Sequence, residues 1–245
     1  MKDGIRVTVW NEGVHEKRDA PVKAIYPKGM GAQIAQYLEK QPGIASVHVS
    51  ELDHPQQGLT DETLNNTDVM TWWGHTAHDQ VTDENVERIH RRVLDGMGIV
   101  VLHSGHMSKI FRKLMGTGCM LKWREIGERE RIWVVDPAHP ITEGIPEYIE
   151  LEHTEMYGEH FDIPQPDRLV FISWYQGGEV FRSGCCWHRS KGKVFYFSPG
   201  HETLPIYYNE HVLRVICNGI KWAAPSGLKE VIRGNRKPLE DVKAR

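Results

Sequence analysis

The chain has 245 residues, 40% of them hydrophobic and 26% charged, with a mean hydropathy of -0.49. This is the make-up of an ordinary globular protein and excludes a largely disordered one; about 250 residues bury enough surface for one core without cross-links. Thirty Lys and Arg against 33 Asp and Glu give a net charge of -3, so no broad basic face for nucleic acid is expected.

The first strand begins almost at once. Ile5, Val7 and Val9 alternate with polar residues over Gly4-Asn11, and after a polar loop Gly29-Met30-Gly31 open a helix running to about Lys40. Ile44-Leu52 and Asp68-Trp73 read as short buried strands, the latter ending at Gly74. Thr82 is placed to cap a helix in which Val86, Ile89, Val93 and Met97 recur at helical spacing until Gly96 and Gly98 stop it. Gly98-His103 is the most hydrophobic strand, and Ile110, Phe111 and Leu114 make the next helix, closed by Gly116 and Gly118. Strands alternating with helices imply a parallel, doubly wound sheet.

Beyond residue 118 the pattern changes. Lys122-Ile126 and Arg131-Val135 read as a hairpin across a charged turn. Arg168-Trp174 and Glu179-Trp187 read as antiparallel strands around Gly177-Gly178, followed by a strand Lys193-Ser198. These extend the same sheet. Val212, Val215, Ile216 and Ile220 give a last helix ending at Ala223-Ala224-Pro225. The expected organisation is one α/β domain over 1-225, flavodoxin-like with an antiparallel extension, and a basic tail over 226-245.

The four cysteines, Cys119, Cys185, Cys186 and Cys217, form no C-x-x-C pair and no disulfide framework. No basic-then-apolar leader opens the chain and no run reaches about 18 apolar residues. A cytoplasmic protein with no membrane partner is expected, and a homo-oligomer on general grounds.

Histidine stands out, with 14 copies. In an open parallel sheet ligands bind outside the carboxyl ends of the strands. Those ends carry Asn11, Glu12 and His15; His75 and His78; His103, Ser104 and His106; and His201 and Glu202. The segment His153-Thr154-Glu155-Met156-Tyr157, read as a loop, offers a further imidazole and carboxylate. Imidazoles and carboxylates converging in a cleft are the ligands of zinc, iron or manganese, and also the groups that move protons. The expected metal ligands are His103, His106, His153 and His201, with zinc the first choice of ion.

Other chemistry is weaker. Leu102-His103-Ser104-Gly105-His106 is a strand-to-helix turn that could expose a nucleophilic serine, but it lacks the G-x-S-x-G glycines, and capping the following helix is the simpler role for Ser104. Trp73 and Trp187 lie at strand ends, where an aromatic face can stack on a sugar ring; packing is the simpler reading for each. No P-loop and no G-x-G-x-x-G is present, so no nucleotide cofactor is expected.

Several segments taken together resemble the ThuA-like, trehalose-utilisation family. They are Gly98-Ile99-Val100-Val101-Leu102-His103-Ser104, His139-Pro140-Ile141-Thr142-Glu143-Gly144-Ile145-Pro146, Glu155-Met156-Tyr157, and the run from Trp187-His188 through Gly192-Lys193-Val194-Phe195-Tyr196 to Gly200-His201. The resemblance runs in order over about residues 4-224. It implies the class I glutamine amidotransferase-like fold, and it places His103 at the family's strand-end histidine, Glu155 at its acidic D/E-x-Y position and His201 at its terminal G-H. Ser104 falls near the position of an amidotransferase's cysteine; no cysteine is present there, which puts glutaminase chemistry in doubt.

The expectation is therefore an enzyme acting on a disaccharide or an oxidised (keto) sugar. His103, Ser104, Glu155 and His201 are its candidate catalytic residues, a divalent metal its candidate cofactor, and Asn11, His15, Trp73, His75, Tyr157 and Trp187 its candidate sugar contacts. The alternatives are a metal-free amidotransferase-like hydrolase using Ser104, and a non-catalytic sugar-binding or regulatory protein.

Overall fold

The computed structural model describes residues 4-227 and 234-242. Among these residues nine strands form a single sheet in the order β2-β1-β3-β4-β9-β8-β7-β5-β6. β1 (Ile5–Asn11), β2 (Ile44–Glu51), β3 (Val69–Trp73), β4 (Gly98–Leu102) and β9 (Gly192–Phe197) run parallel. β8 (Val180–Arg189), β7 (Arg168–Tyr175), β5 (Lys122–Val134) and β6 (Tyr148–Gly158) continue the sheet with antiparallel pairings.

Helices cover both faces, as parallel strands require. On one side α3 (Met30–Leu38) and the last helix, α7 (Glu210–Ala223), pack Met30, Ile34, Val212 and Ile216 against Val7, Val9, Val100 and Phe195. On the other, α5 (Asp83–Leu94) and α6 (Lys109–Met115) pack Ile89, Val93, Ile110 and Phe111 against Met70, Ile99, Val101 and Tyr196. Thr82 caps α5, its side chain accepting from the Asn85 amide. α6 is capped by Ser108, which accepts from Phe111 N, and closed by Gly116 in the left-handed conformation.

Three expectations need correction. The polar segment after β1 carries two short helices, α1 (His15–Arg18) and α2 (Ala20–Ile25). Lys122-Ile126 and Arg131-Val135 are not a hairpin but parts of the one strand β5. The charged stretch between them is absorbed by register irregularities against β6, flanking Glu128, and by the Arg124 ion pairs to Glu128 and Glu179. Residues 153-157 belong to β6 rather than to a loop.

The tail expected over 226-245 lies partly outside the described residues; its stretch 234-242 is exposed and without helix or strand. Among the described residues no helix is long and apolar enough to cross a membrane.

Candidate functional site

The strand order reverses between β1 and β3, and in open α/β sheets the ligand crevice lies at such a switch point, outside the carboxyl ends of the strands. Loops after β1, β3, β4 and β9 meet there, and β6 reaches in from the antiparallel half.

His103 follows β4 directly, opening a short helical turn with φ +48°. A non-glycine residue in this left-handed region carries backbone strain, and the sharp turn after a central strand is where α/β enzymes expose a reactive side chain. Surrounding bonds hold it in place. Nδ1 donates to the Ser198 carbonyl at 2.8 Å, the Tyr196 hydroxyl donates to the His103 carbonyl at 3.1 Å, and the ring stacks on Tyr157 at 4.9 Å between centroids. A carbonyl only accepts, so Nδ1 carries a proton and Nε2 is the reactive atom. It lies 3.1 Å from Oε2 of Glu155 and 3.3 Å from the Tyr157 hydroxyl.

Each of the two groups favours the charged form of the other. Burial pushes His103 down, but Glu155 and the Ser198 carbonyl outweigh it and the net direction is upward. Burial pushes Glu155 up, yet the close approach and charge of His103, with His201 and His75 behind, bring it below its ordinary value.

His201 completes a buried cluster. Its Nδ1 accepts from the Thr203 amide at 3.2 Å, so the neutral ring keeps its proton on Nε2. That atom lies 3.5 Å from Glu125 Oε1 and 3.9 Å from Glu155 Oε2. Burial and the neighbouring His103 charge hold His201 below its ordinary pKa, which leaves it a neutral donor. Gly200 fits here because of φ +149° and because a Cβ would come 2.1 Å from the Tyr207 hydroxyl.

A second cluster lies alongside. His15 Nε2, His75 Nδ1 and Glu202 Oε1 are mutually 2.8, 3.3 and 3.5 Å apart, and the His75 and His201 rings are 6.2 Å apart. Glu12 fixes the loop after β3 by accepting from the amides of His75, Thr76 and Ala77. A cavity of about 250 Å³ opens beside the two clusters, reaching Glu155 of the first and His75 of the second, with Ser104, His106, Trp123 and Tyr157 also in its lining.

Residues 6-223 match the ThuA family, described as trehalose utilisation. The chain belongs to the ThuA family. No curated protein matches its sequence. Among solved structures it is similar to a protein described as ThuA-like from Parabacteroides merdae, at 13% identity and TM-score 0.67 over 94% of this chain and 93% of that one. A second ThuA-like protein, from Bacteroides uniformis, matches at 13% and 0.65 over 91% and 93%. PurLQS from Thermotoga maritima matches at 13% and 0.55 over 89% and 99%. The ThuA chain thus has the flavodoxin-like, class I glutamine amidotransferase-like fold.

Against the sequence expectations, this ThuA-family chain brings His103, Glu155, His201 and Tyr157 together, and His15 with His75. It does not assemble the expected metal set. His106 lines the cavity but lies outside the buried His103–Glu155–His201 group, its Nδ1 donating to the Cys119 carbonyl at 2.7 Å and its ring packed against Tyr157 and Phe161. His153 is exposed on β6 with Nδ1 on the Gly127 carbonyl, and His201 offers a proton rather than a lone pair.

Nor do the aromatic contacts hold as expected. Trp187 is 1% exposed, donates to the Pro164 carbonyl and packs against Phe111, so it is core. Trp73 is equally buried and donates to the Gly200 carbonyl, forming the floor under His15 and His75 rather than a sugar platform. Asn11 is buried, accepting from Gly13 N and donating to Glu16. Ser104 donates to the Gly74 carbonyl at 2.8 Å; neither nucleophile-ready nor a helix cap, it stands one residue after the strained turn position.

Two further residues escaped the sequence reading. Asp19, whose Oδ2 lies 2.7 Å from His15 Nδ1, is visible afterwards as an i, i+4 partner. Glu125 has no local signal.

Proposed function

We propose that this protein is a sugar-processing enzyme that moves protons on an oxidised (keto) sugar, through the His103–Glu155 pair with His201 as a second donor. The observation that carries the reading is the buried imidazole–carboxylate pair, Nε2 to Oε2 at 3.1 Å, at the open end of the sheet. Glu155 acts as base on the hydrogen of the carbon beside the carbonyl. His103 and Nε2–H of His201 give hydrogen bonds to the carbonyl oxygen as it gains negative charge, and return of the proton to the same or the neighbouring carbon completes an epimerisation or isomerisation.

Glycoside hydrolysis fits less well. It ordinarily uses two carboxylates flanking the bond, about 5–5.5 Å or about 6.5–9.5 Å apart, whereas the immediate partner of Glu155 is an imidazole. The family description, trehalose utilisation, supports a sugar as the substrate class. A cavity of about 250 Å³ is below the roughly 300–1,000 Å³ of pockets that enclose drug-sized ligands, which suits one sugar ring inside and a second ring outside.

The test is incubation in D₂O with a panel of disaccharides and their keto derivatives, followed by NMR. The proposal expects deuterium at the carbon beside the carbonyl with the wild type and none with Glu155→Gln. Equal exchange in both proteins, or hydrolysis without exchange, overturns it.

A further inference from the structure

We propose that His15, His75 and Glu202 bind one divalent transition-metal ion, with zinc the best fit to the ligand set, beside the acid–base pair and not within it. Two ligand atoms about 2.1 Å from one ion, at angles between those of octahedral and tetrahedral coordination, lie roughly 3.0–3.4 Å from each other. The three separations here, 2.8, 3.3 and 3.5 Å, need shifts of only a few tenths of an ångström to meet that condition.

The donors are also aimed. The Asp19 carboxylate accepts from His15 Nδ1 at 2.7 Å, so the proton is on Nδ1 and the Nε2 lone pair faces inward, the arrangement by which an outer carboxylate orients a metal-bound imidazole. Glu12, holding three consecutive amides at 2.7 to 3.0 Å, fixes the backbone that carries His75.

Independent of that geometry is Glu202. It is 4% exposed, and its Oε2 has no hydrogen-bond partner, while Oε1 faces the two imidazoles. A buried carboxylate with one oxygen left unbonded is costly, and a cation held at Oε1 beside the rings would neutralise its charge and offset part of that cost.

The three residues come from the connections after β1, β3 and β9, His15 opening α1, and the first two strands flank the switch point itself. The His15 and His75 side chains keep 16% and 35% of their surface exposed against 5% for Glu202, so the ion would be closed on the protein side and open towards the cleft, as in sites that take water or substrate. Two imidazoles and one carboxylate suit zinc, iron(II) or manganese and not calcium or magnesium, which take oxygen. Because His75 and Glu155 line the same cavity, a carbonyl or diol oxygen on the ion would sit beside the proton-moving pair.

Metal binding is measured without substrate, so its failure is distinguishable from failure of the acid–base reading. The full chain is stripped with chelator, dialysed, and titrated with Zn²⁺ and separately with Co²⁺, following heat, the visible spectrum of bound cobalt and the ion-to-chain ratio. One ion per chain is expected in the wild type and in His103→Asn. His75→Ala, in a half-exposed loop, and Glu202→Gln are expected to lose stoichiometric binding, with folding checked by circular dichroism. Asp19→Asn should keep the ion but weaken it about 10–100-fold. Absence of a stoichiometric ion in the wild type overturns the proposal. So does an ion that survives His75→Ala and is lost in His103→Asn, which would place it on the neighbouring cluster.

Discussion

Oε2 of Glu155 meets Nε2 of His103 at 3.1 Å across the seam between the two halves of the sheet, the carboxylate supplied by β6 and the imidazole by the strained turn after β4. The two groups shift each other in opposite directions, His103 upward and Glu155 downward. Their joint contribution to stability therefore occupies a pH window. The His103 part is complete below its ordinary range and is lost as pH rises through its raised value. The Glu155 part is complete above its ordinary range and is lost as pH falls through its lowered value.

Ser104→Ala separates this account from a serine-nucleophile hydrolase. Ser104 spends its proton on the Gly74 carbonyl, so its loss is expected to cost about 1 kcal/mol of stability and leave turnover within a few-fold of wild type. His103→Asn, which keeps a donor near the Ser198 carbonyl, should lower turnover about 10²–10⁴-fold. Steady-state rates of the two variants decide it.

Acid sensitivity should trace to His106. Burial holds its pKa at about 3, far below the ordinary 6.5. The folded state thus stays neutral while the unfolded chain takes up a proton, and stability drops as pH falls from about 6.5 towards 3, by about 1.4 kcal/mol per unit. His106→Asn retains a donor for the Cys119 carbonyl and removes the titration. Urea midpoints measured across that range should slope less steeply in the variant; an unchanged slope contradicts the assignment.

For Trp187→Phe the expected loss is about 1–3 kcal/mol, from the donor to the Pro164 carbonyl and from volume in a fully packed region. Sugar affinity should not change. A large affinity loss at unchanged melting temperature would return Trp187 to the binding surface.

Gly200→Ala tests how His201 is positioned. With φ +149° and the Tyr207 hydroxyl 2.1 Å from a Cβ, the substitution should destabilise by about 1–3 kcal/mol and displace the adjacent histidine. Thermal melting and turnover are both expected to fall. Adding Tyr207→Phe, which removes the clashing oxygen, should restore part of the stability.

The parallel half was legible because its rules are local. Thr82, Ser108 and Gly116 mark helix ends, and buried strands such as Gly98–Leu102 stop at polar residues that must lie at one edge of the sheet. That is why His15, His75, His103 and His201 could be grouped from sequence alone. The antiparallel half was less legible. Gly127 and the charges of Glu128-Arg131 look like a turn, whereas Glu130 is buried against Ser173 and Arg124 pairs with Glu179, just before β8, as well as with nearby Glu128; Ser173 and Glu179 are distant in sequence. Trp187 lies on a strand covered on both faces, so alternation could not say which way it points. His106 and His153 differ from His103 only in where their Nδ1 protons go, and the carbonyls that take them belong to Cys119 and Gly127.

The most direct measurement is the titration of the His103 ring by ¹⁵N-resolved NMR in wild type and Glu155→Gln. The account predicts a midpoint above that of an ordinary histidine in the wild type, falling when the carboxylate is removed, because burial, the largest influence, is then opposed only by the Ser198 carbonyl and the Glu202 charge. A His103 that titrates at or below the ordinary value in the wild type, and does not move in Glu155→Gln, contradicts the charged pair on which the proposed chemistry rests.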